Sequence, residues 1–206
     1  MTKKWLDEVY GKTNSELYDN WVNYNEQVIE ELGWKCHILA SEWITNNFKH
    51  GTEVADIGCG NGQVGFGINQ GLYLIDGYDV NQKMLDRFIA KNYRSKQLHD
   101  ITQSPLPKQY DCITAIGVLT QGHVDASASK NLADSLTDEG LLFCSMSKHN
   151  LETILKKGYT GDWFFDGGWN SQKNLEVVSI KHVHSLTTPE GEKQYHDIII
   201  WKNAHF

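Results

Sequence analysis

Apolar positions along this chain recur with two different periods. Across residues 17–48 the spacing is helical. Leu17, Trp21, Tyr24, Val28 and Leu32 share one face, Thr13-x-x-Glu16 ahead of them has the form of a capping box, and Gly33 supplies a stop. Ile38, Leu39, Trp43, Ile44 and Phe48 mark a second helix that ends at His50-Gly51. From residue 53 the pattern changes to short apolar runs bounded by turn residues: 53–57, 73–80, 96–101, 110–117 and 141–146. Runs of this length, apolar on both sides of the strand, belong to a parallel sheet covered on both faces. Helical spacing fills the gaps between them: Gln63, Val64, Phe66 and Ile68; then Met84, Leu85, Phe88 and Ile89 behind an Asn81 cap; then residues 126–136 and 151–157. Residues 158–174, rich in glycine and aromatics, read as a substrate-pocket wall or as a packed surface loop. Residues 177–186 and 193–201 predict a hairpin around a turn at 187–192. The expected architecture is doubly wound α/β: seven strands, mostly parallel, closed by an antiparallel hairpin.

The sharpest local signal lies where the first strand stops. Asp56-Ile57-Gly58-Cys59-Gly60-Asn61-Gly62 runs from an apolar strand into alternate glycines, and a helix follows. Glycine allows positive φ and keeps side chains away from a ligand. Strand, glycine turn and helix together form the unit that holds nucleotide-like ligands against backbone. No Gly-Lys-Ser/Thr follows, so this is not a Walker loop. Gly60-x-Gly62-x-x-Gly65 also fits the dinucleotide pattern, and a purely structural turn is the plain alternative. Asp56 adds a third possibility. An acid, any residue, then Gly-x-Gly-x-Gly is the first motif of the class I S-adenosylmethionine-dependent methyltransferases, and the segment resembles it at every defined place.

That resemblance implies a Rossmann-like methyltransferase fold with S-adenosylmethionine as cofactor. It implies a binding loop of Asp56, Gly58, Cys59, Gly60, Gly62 and Gln63. Asp79 ends the second strand, about 20 residues past the glycines, where an acid accepts ribose hydroxyls in both the methyltransferase and the dehydrogenase readings. A turn acid is its structural alternative. Val80 and Met84 are expected beside the adenosine, although Met84 would equally suit the core. By the same resemblance Asp100 receives the adenine amino group, Ile101 packs on the ring, and Gly117 and Val118 floor the methionine part. Tyr18 and Trp21 are expected in a lid, where a ring face could meet the sulfonium; core packing is the alternative. Tyr18-Asp19-x-Trp21 and residues 119–124 further resemble the group of the methyltransferase-like protein encoded in the Williams–Beuren syndrome region, over roughly residues 17–147. The family usually has Pro-Gly-Gly before the fifth strand, and only Gly140 remains here.

The implied reaction is in-line attack on the cofactor's methyl group, in which the protein aligns the reactants and excludes water. His123, just past the fourth strand, is the candidate general base; a packing or helix-start histidine is the alternative, and Tyr18 and His149 are lesser candidates. His182 and His184 share a strand face with His196 across the hairpin, yet no convincing third-ligand pattern supports a metal site.

Composition narrows the picture. A chain of 206 residues suffices for one domain, expected as N-terminal helices over 1–50, a cofactor-binding core over 51–147, and a substrate loop and hairpin over 148–206. A net charge of −7 argues against a nucleic-acid partner and favours a small-molecule acceptor. No apolar run approaches the ~20 residues of a membrane helix, and residues 1–8 turn acidic too early for a signal peptide. Cys36, Cys59, Cys112 and Cys144 are dispersed, as in a reduced cytoplasmic protein. Two other functions fit the glycine loop: an NAD-linked oxidoreductase, and a cofactor-binding protein without catalysis. An oxidoreductase would continue with further strand–helix units in place of a terminal hairpin.

Overall fold

The computed structural model describes residues 18–19, 25–119, 123–124, 126–147, 169, 173–188 and 190–204. Seven strands form one sheet: β1 (Glu53–Ile57), β2 (Leu74–Asp79), β3 (Tyr93–Leu98), β4 (Tyr110–Ile116), β5 (Leu136–Ser147), β6 (Leu175–Thr187) and β7 (Lys193–Asn203). Their order is β3-β2-β1-β4-β5-β7-β6. The first five run parallel, while β7 lies antiparallel between β5 and β6. The connecting helices are α1 (Cys36–Asn47), α2 (Gln63–Phe66), α3 (Gln82–Asp86) and α4 (Ser129–Asp134), preceded by a π-helical turn at Asn25–Glu31. No helix among the described residues is long and apolar enough to cross a membrane.

Alternation along the strands builds two cores. Val54, Ile75, Cys112, Phe143, Ile198 and Ile200 pack on one face with Cys36, Ala40 and Ile44 of α1. Ala55, Tyr78, Ile113, Leu142, Ile199 and Trp201 pack on the other with Leu132 and Ala133 of α4 and with Trp169. Burial on both faces is the reason the central strands are apolar throughout. All four cysteines are free and buried, Cys36 and Cys112 in the first layer, Cys144 in the second and Cys59 in the turn after β1.

Several boundaries differ from the sequence expectation. β3 spans Tyr93–Leu98, not 96–101, so Asp100 stands in the turn beyond the strand. This strand is at the edge, and hydrogen bonds anchor its start: Tyr93 Oη donates to Asp56 and the Arg94 guanidinium to Asp76. β5 begins at Leu136, inside the expected 126–136 helix, which instead is a 3₁₀ turn at Ala126–Ala128 followed by α4. Tyr110 pairs with Leu136 but Cys112 with Leu141, so residues 137–140 form an irregularity within the strand. Ile38 is 46% exposed, because the buried face of α1 is Cys36, Ala40 and Ile44. α3 stops at Asp86, which leaves Ile89 exposed.

The hairpin is longer than expected. His182 and His184 pair with Asp197 and Tyr195, whereas His196 pairs with Val183, so His196 is on the opposite face from the other two. His196 is instead buried, sharing a 2.6 Å hydrogen bond with Ser185. Among the described residues no cluster of three His, Cys, Asp or Glu could hold a metal. Thr13, Glu16, Leu17, Trp21, Tyr24, His149 and the 151–157 helix lie outside the described residues. Of the 158–174 loop, Trp169 is fully buried in the core beside Trp201.

Candidate active site

A cavity of about 310 Å³ opens where β1, β2 and β4 end, which is where ligands gather on such sheets. Tyr18, Asp56, Gly58, Cys59, Gly60, Gln63, Asp79, Val80, Met84, Asp100, Ile101, Gly117, Val118 and His123 all line it. Gly62 does not. At φ 92° a Cβ there would stand 2.6 Å from Ala90 and 2.7 Å from the Phe88 ring, so this glycine serves packing behind the loop. Trp21 is outside the described residues.

The turn after β1 requires glycine at Gly58: φ is 63°, and a Cβ would lie 2.2 Å from Val118 Cγ2. Asp79 organises the turn from the next strand. Its Oδ2 accepts from Gly60 N–H at 2.8 Å and its Oδ1 from Asn81 N–H at 2.8 Å. Burial raises the Asp79 carboxyl, and these N–H bonds work against the rise. Asp56 is only 2% exposed, and both of its oxygens have partners: Tyr93 Oη at 2.5 Å and Thr114 Oγ1 at 2.7 Å. Burial pushes its carboxyl up to about 6 against those bonds. Asp56 therefore ties β1 to β3 and β4 beneath the loop. Asp100 Oδ1 accepts from Thr102 N–H at 2.9 Å and Thr102 Oγ1 at 2.7 Å, which fixes the turn that presents Ile101.

His123 is held by its ring. Nδ1 is 3.1 Å from the Gly117 carbonyl. A carbonyl only accepts, so Nδ1 carries the proton and Nε2 keeps a lone pair. Burial lowers the pKa of this imidazole and so favours the neutral ring, while the Gly117 bond works against that shift. The Tyr18 ring meets His123 edge-on at 5.8 Å.

Some residues that shape the site were given no role there from the sequence, although Asp19 belongs to the Tyr18-Asp19-x-Trp21 segment. Asp19 anchors the segment carrying Tyr18, accepting from Asn81 Nδ2 at 3.0 Å and Lys83 Nζ at 2.7 Å. Arg87 donates to the backbone carbonyls of Tyr18 and Asp19 at 3.1 and 2.8 Å. Asn81 also caps α3, its Oδ1 accepting from Met84 N–H. Its cap position was legible; its bond to a residue 62 positions earlier was not. Ile29, Trp34 and His37, which precede β1, complete the wall.

The strand order, with an antiparallel last strand inserted beside the fifth, is the Rossmann-like methyltransferase fold. The family model described as a methyltransferase domain matches residues 55–142. Among solved structures, the chain is similar to the N-methyltransferase NodS from Bradyrhizobium japonicum WM9 in complex with S-adenosyl-L-homocysteine. The TM-score is 0.68 at 14% identity, over 94% of this chain and 100% of that one. Magnesium protoporphyrin IX methyltransferase from Synechocystis PCC 6803, with the same ligand bound, aligns at TM-score 0.60 and 16% identity, over 97% and 98% of the two chains. The complex of the Haloferax volcanii Trm112 methyltransferase activator with a putative methyltransferase aligns at TM-score 0.65 and 13% identity, over 93% and 98%. No curated protein matches the chain in sequence.

Proposed function

We propose that this chain is an S-adenosylmethionine-dependent methyltransferase acting on a small-molecule acceptor. The observation that carries the reading is the union of the glycine loop, Asp79 and the Asp100-Ile101 turn around one cavity. The residues fit the cofactor. The Asp79 carboxylate accepts from the Gly60 and Asn81 N–H groups, and its remaining lone pairs leave acceptor capacity for a ribose hydroxyl. Met84, Ile101 and Val118 offer apolar surface to a purine. The volume, about 310 Å³, is at the lower end of the range for small-molecule sites.

When bound, the cofactor supplies the activated methyl group. The chain's residues bind, orient and exclude water. Asp79 would hold the ribose, and the Gly58–Gly60 backbone would receive the amino-acid part. Tyr18, fastened through Asp19 and Arg87 to α3, covers the site. His123 Nε2 takes the proton from a nucleophile that arrives protonated. The Tyr18-Asp19-x-Trp21 segment and residues 119–124 favour grouping the chain with the methyltransferase-like proteins of the Williams–Beuren type. The net charge of −7 favours a small acceptor over nucleic acid, and four buried, free cysteines suit the cytoplasm.

Incubation with methyl-labelled cofactor and cell extract tests this function. Label is expected in the small-molecule fraction. Label in nucleic acid or protein would contradict the acceptor class. Cofactor binding with no labelled product in any fraction would favour the non-catalytic alternative.

A further inference from the structure

His37, at the start of α1, is 7% exposed and lines the cavity, yet its buried Nδ1 has no hydrogen-bond partner. A buried polar atom without a partner is costly and rare enough to need a cause. Rearrangement of the helix start offers no remedy. The His37 carbonyl accepts from Ser41 Oγ at 2.9 Å, and the same hydroxyl reaches the Val64 carbonyl at 2.6 Å, so the backbone beneath the ring is fixed to α2.

The surroundings of His37 differ from those of the three aspartates. Trp34 stands over Gly117, 3.9 Å from where a Cβ would be, and meets the His196 ring edge-on at 4.6 Å. Ile29 and Ile116 add apolar surface, and His123 and Tyr18 face the same space. Among the described lining residues the charged side chains are Asp56, Asp79 and Asp100, all at or just beyond the strand ends assigned above to the cofactor. The end marked by Trp34 and His37 offers neutral groups.

We propose that His37 is the hydrogen-bonding partner of the methyl acceptor, and that the acceptor is a small uncharged molecule with a flat apolar body and one polar head. Its body lies against Trp34, Ile29 and Ile116, and its head satisfies the His37 imidazole. Burial lowers the pKa of that imidazole, so the ring meets a neutral head group as a neutral partner and suits a carboxylate poorly. The inference rests on the methyltransferase reading, because it assigns the other end of the cavity to the cofactor.

Phenol and toluene share a flat body and differ in the polar head. Their affinities for the S-adenosylhomocysteine complex are measured by NMR titration, after calorimetry has given the complex's own affinity. The wild type is expected to bind phenol at least about tenfold more tightly than toluene. In His37→Phe that advantage should fall below about threefold, with S-adenosylhomocysteine affinity unchanged. If His37→Phe does not fold, His37→Gln carries the test, since a displaced polar group must alter the advantage by more than about threefold. No phenol preference in the wild type overturns the proposal. An advantage retained in the variant overturns it in favour of another group, such as His123. A tenfold loss of S-adenosylhomocysteine affinity in His37→Phe reassigns His37 to the cofactor. A wild type that fails to bind S-adenosylhomocysteine at all rejects the underlying function instead.

Discussion

Asp56 shows how a motif residue can line a cavity while its side chain is engaged within the sheet. The sequence pattern sets it at the cavity's edge, and it is there, but Tyr93 and Thr114 occupy its oxygens. Burial holds its carboxyl near 6, against an ordinary value of 3.8. Between those values the native chain binds more protons at this site than the unfolded chain does. The stability contributed by the protonated form is complete below about 4 and is lost as pH rises through about 6. The gap corresponds to about 3 kcal/mol. Asp56→Asn keeps the polar contacts and removes the titration. From about pH 4.5 to about pH 7.5 in urea unfolding, the wild type should lose roughly 2–3 kcal/mol relative to the variant. Parallel pH profiles would contradict this. Asp79, also raised by burial, contributes with the same sign in both proteins.

At the scale of elements, legibility followed burial. β1, β2 and β4 are covered on both faces, and their apolar runs announce them. β3 is a polar edge strand whose register depends on bonds from Tyr93 and Arg94 to acids on β1 and β2, and such bonds leave no periodic trace. β5 was read five residues too short at its start, because Thr137-Asp138-Glu139-Gly140 has the composition of a turn and is absorbed as an irregularity. Gly140 makes this possible. A Cβ there would stand 2.9 Å from both the Thr137 nitrogen and the Tyr110 carbonyl oxygen, and neither backbone atom yields easily. Gly140→Ala should therefore cost roughly 1–3 kcal/mol in chemical denaturation. A midpoint like the wild type's would show that the strand start relaxes without strain.

At the scale of the molecule, the two ends of the described chain meet beside the cavity. Lys35 N–H donates to the Ser185 carbonyl at 3.0 Å, and Thr187 N–H to the Leu32 carbonyl at 3.1 Å, docking the segment before β1 onto the hairpin. This packing explains which part of the site was hidden in the sequence. The strand-tip residues follow from a motif and a strand order. Ile29, Trp34 and His37 stand at the cavity on a segment docked to residues about 150 positions later and, through Ser41, to Val64 of α2.

The central claim is that a nucleoside cofactor lies across the strand tips with its ribose on Asp79. Isothermal calorimetry with S-adenosylhomocysteine on the wild type and on Asp79→Ala tests it most directly. The account predicts one site in the wild type and a dissociation constant at least about tenfold higher in the variant, a loss of ~1.5 kcal/mol or more. No heat of binding in the wild type, or equal affinity in a folded Asp79→Ala, would contradict it.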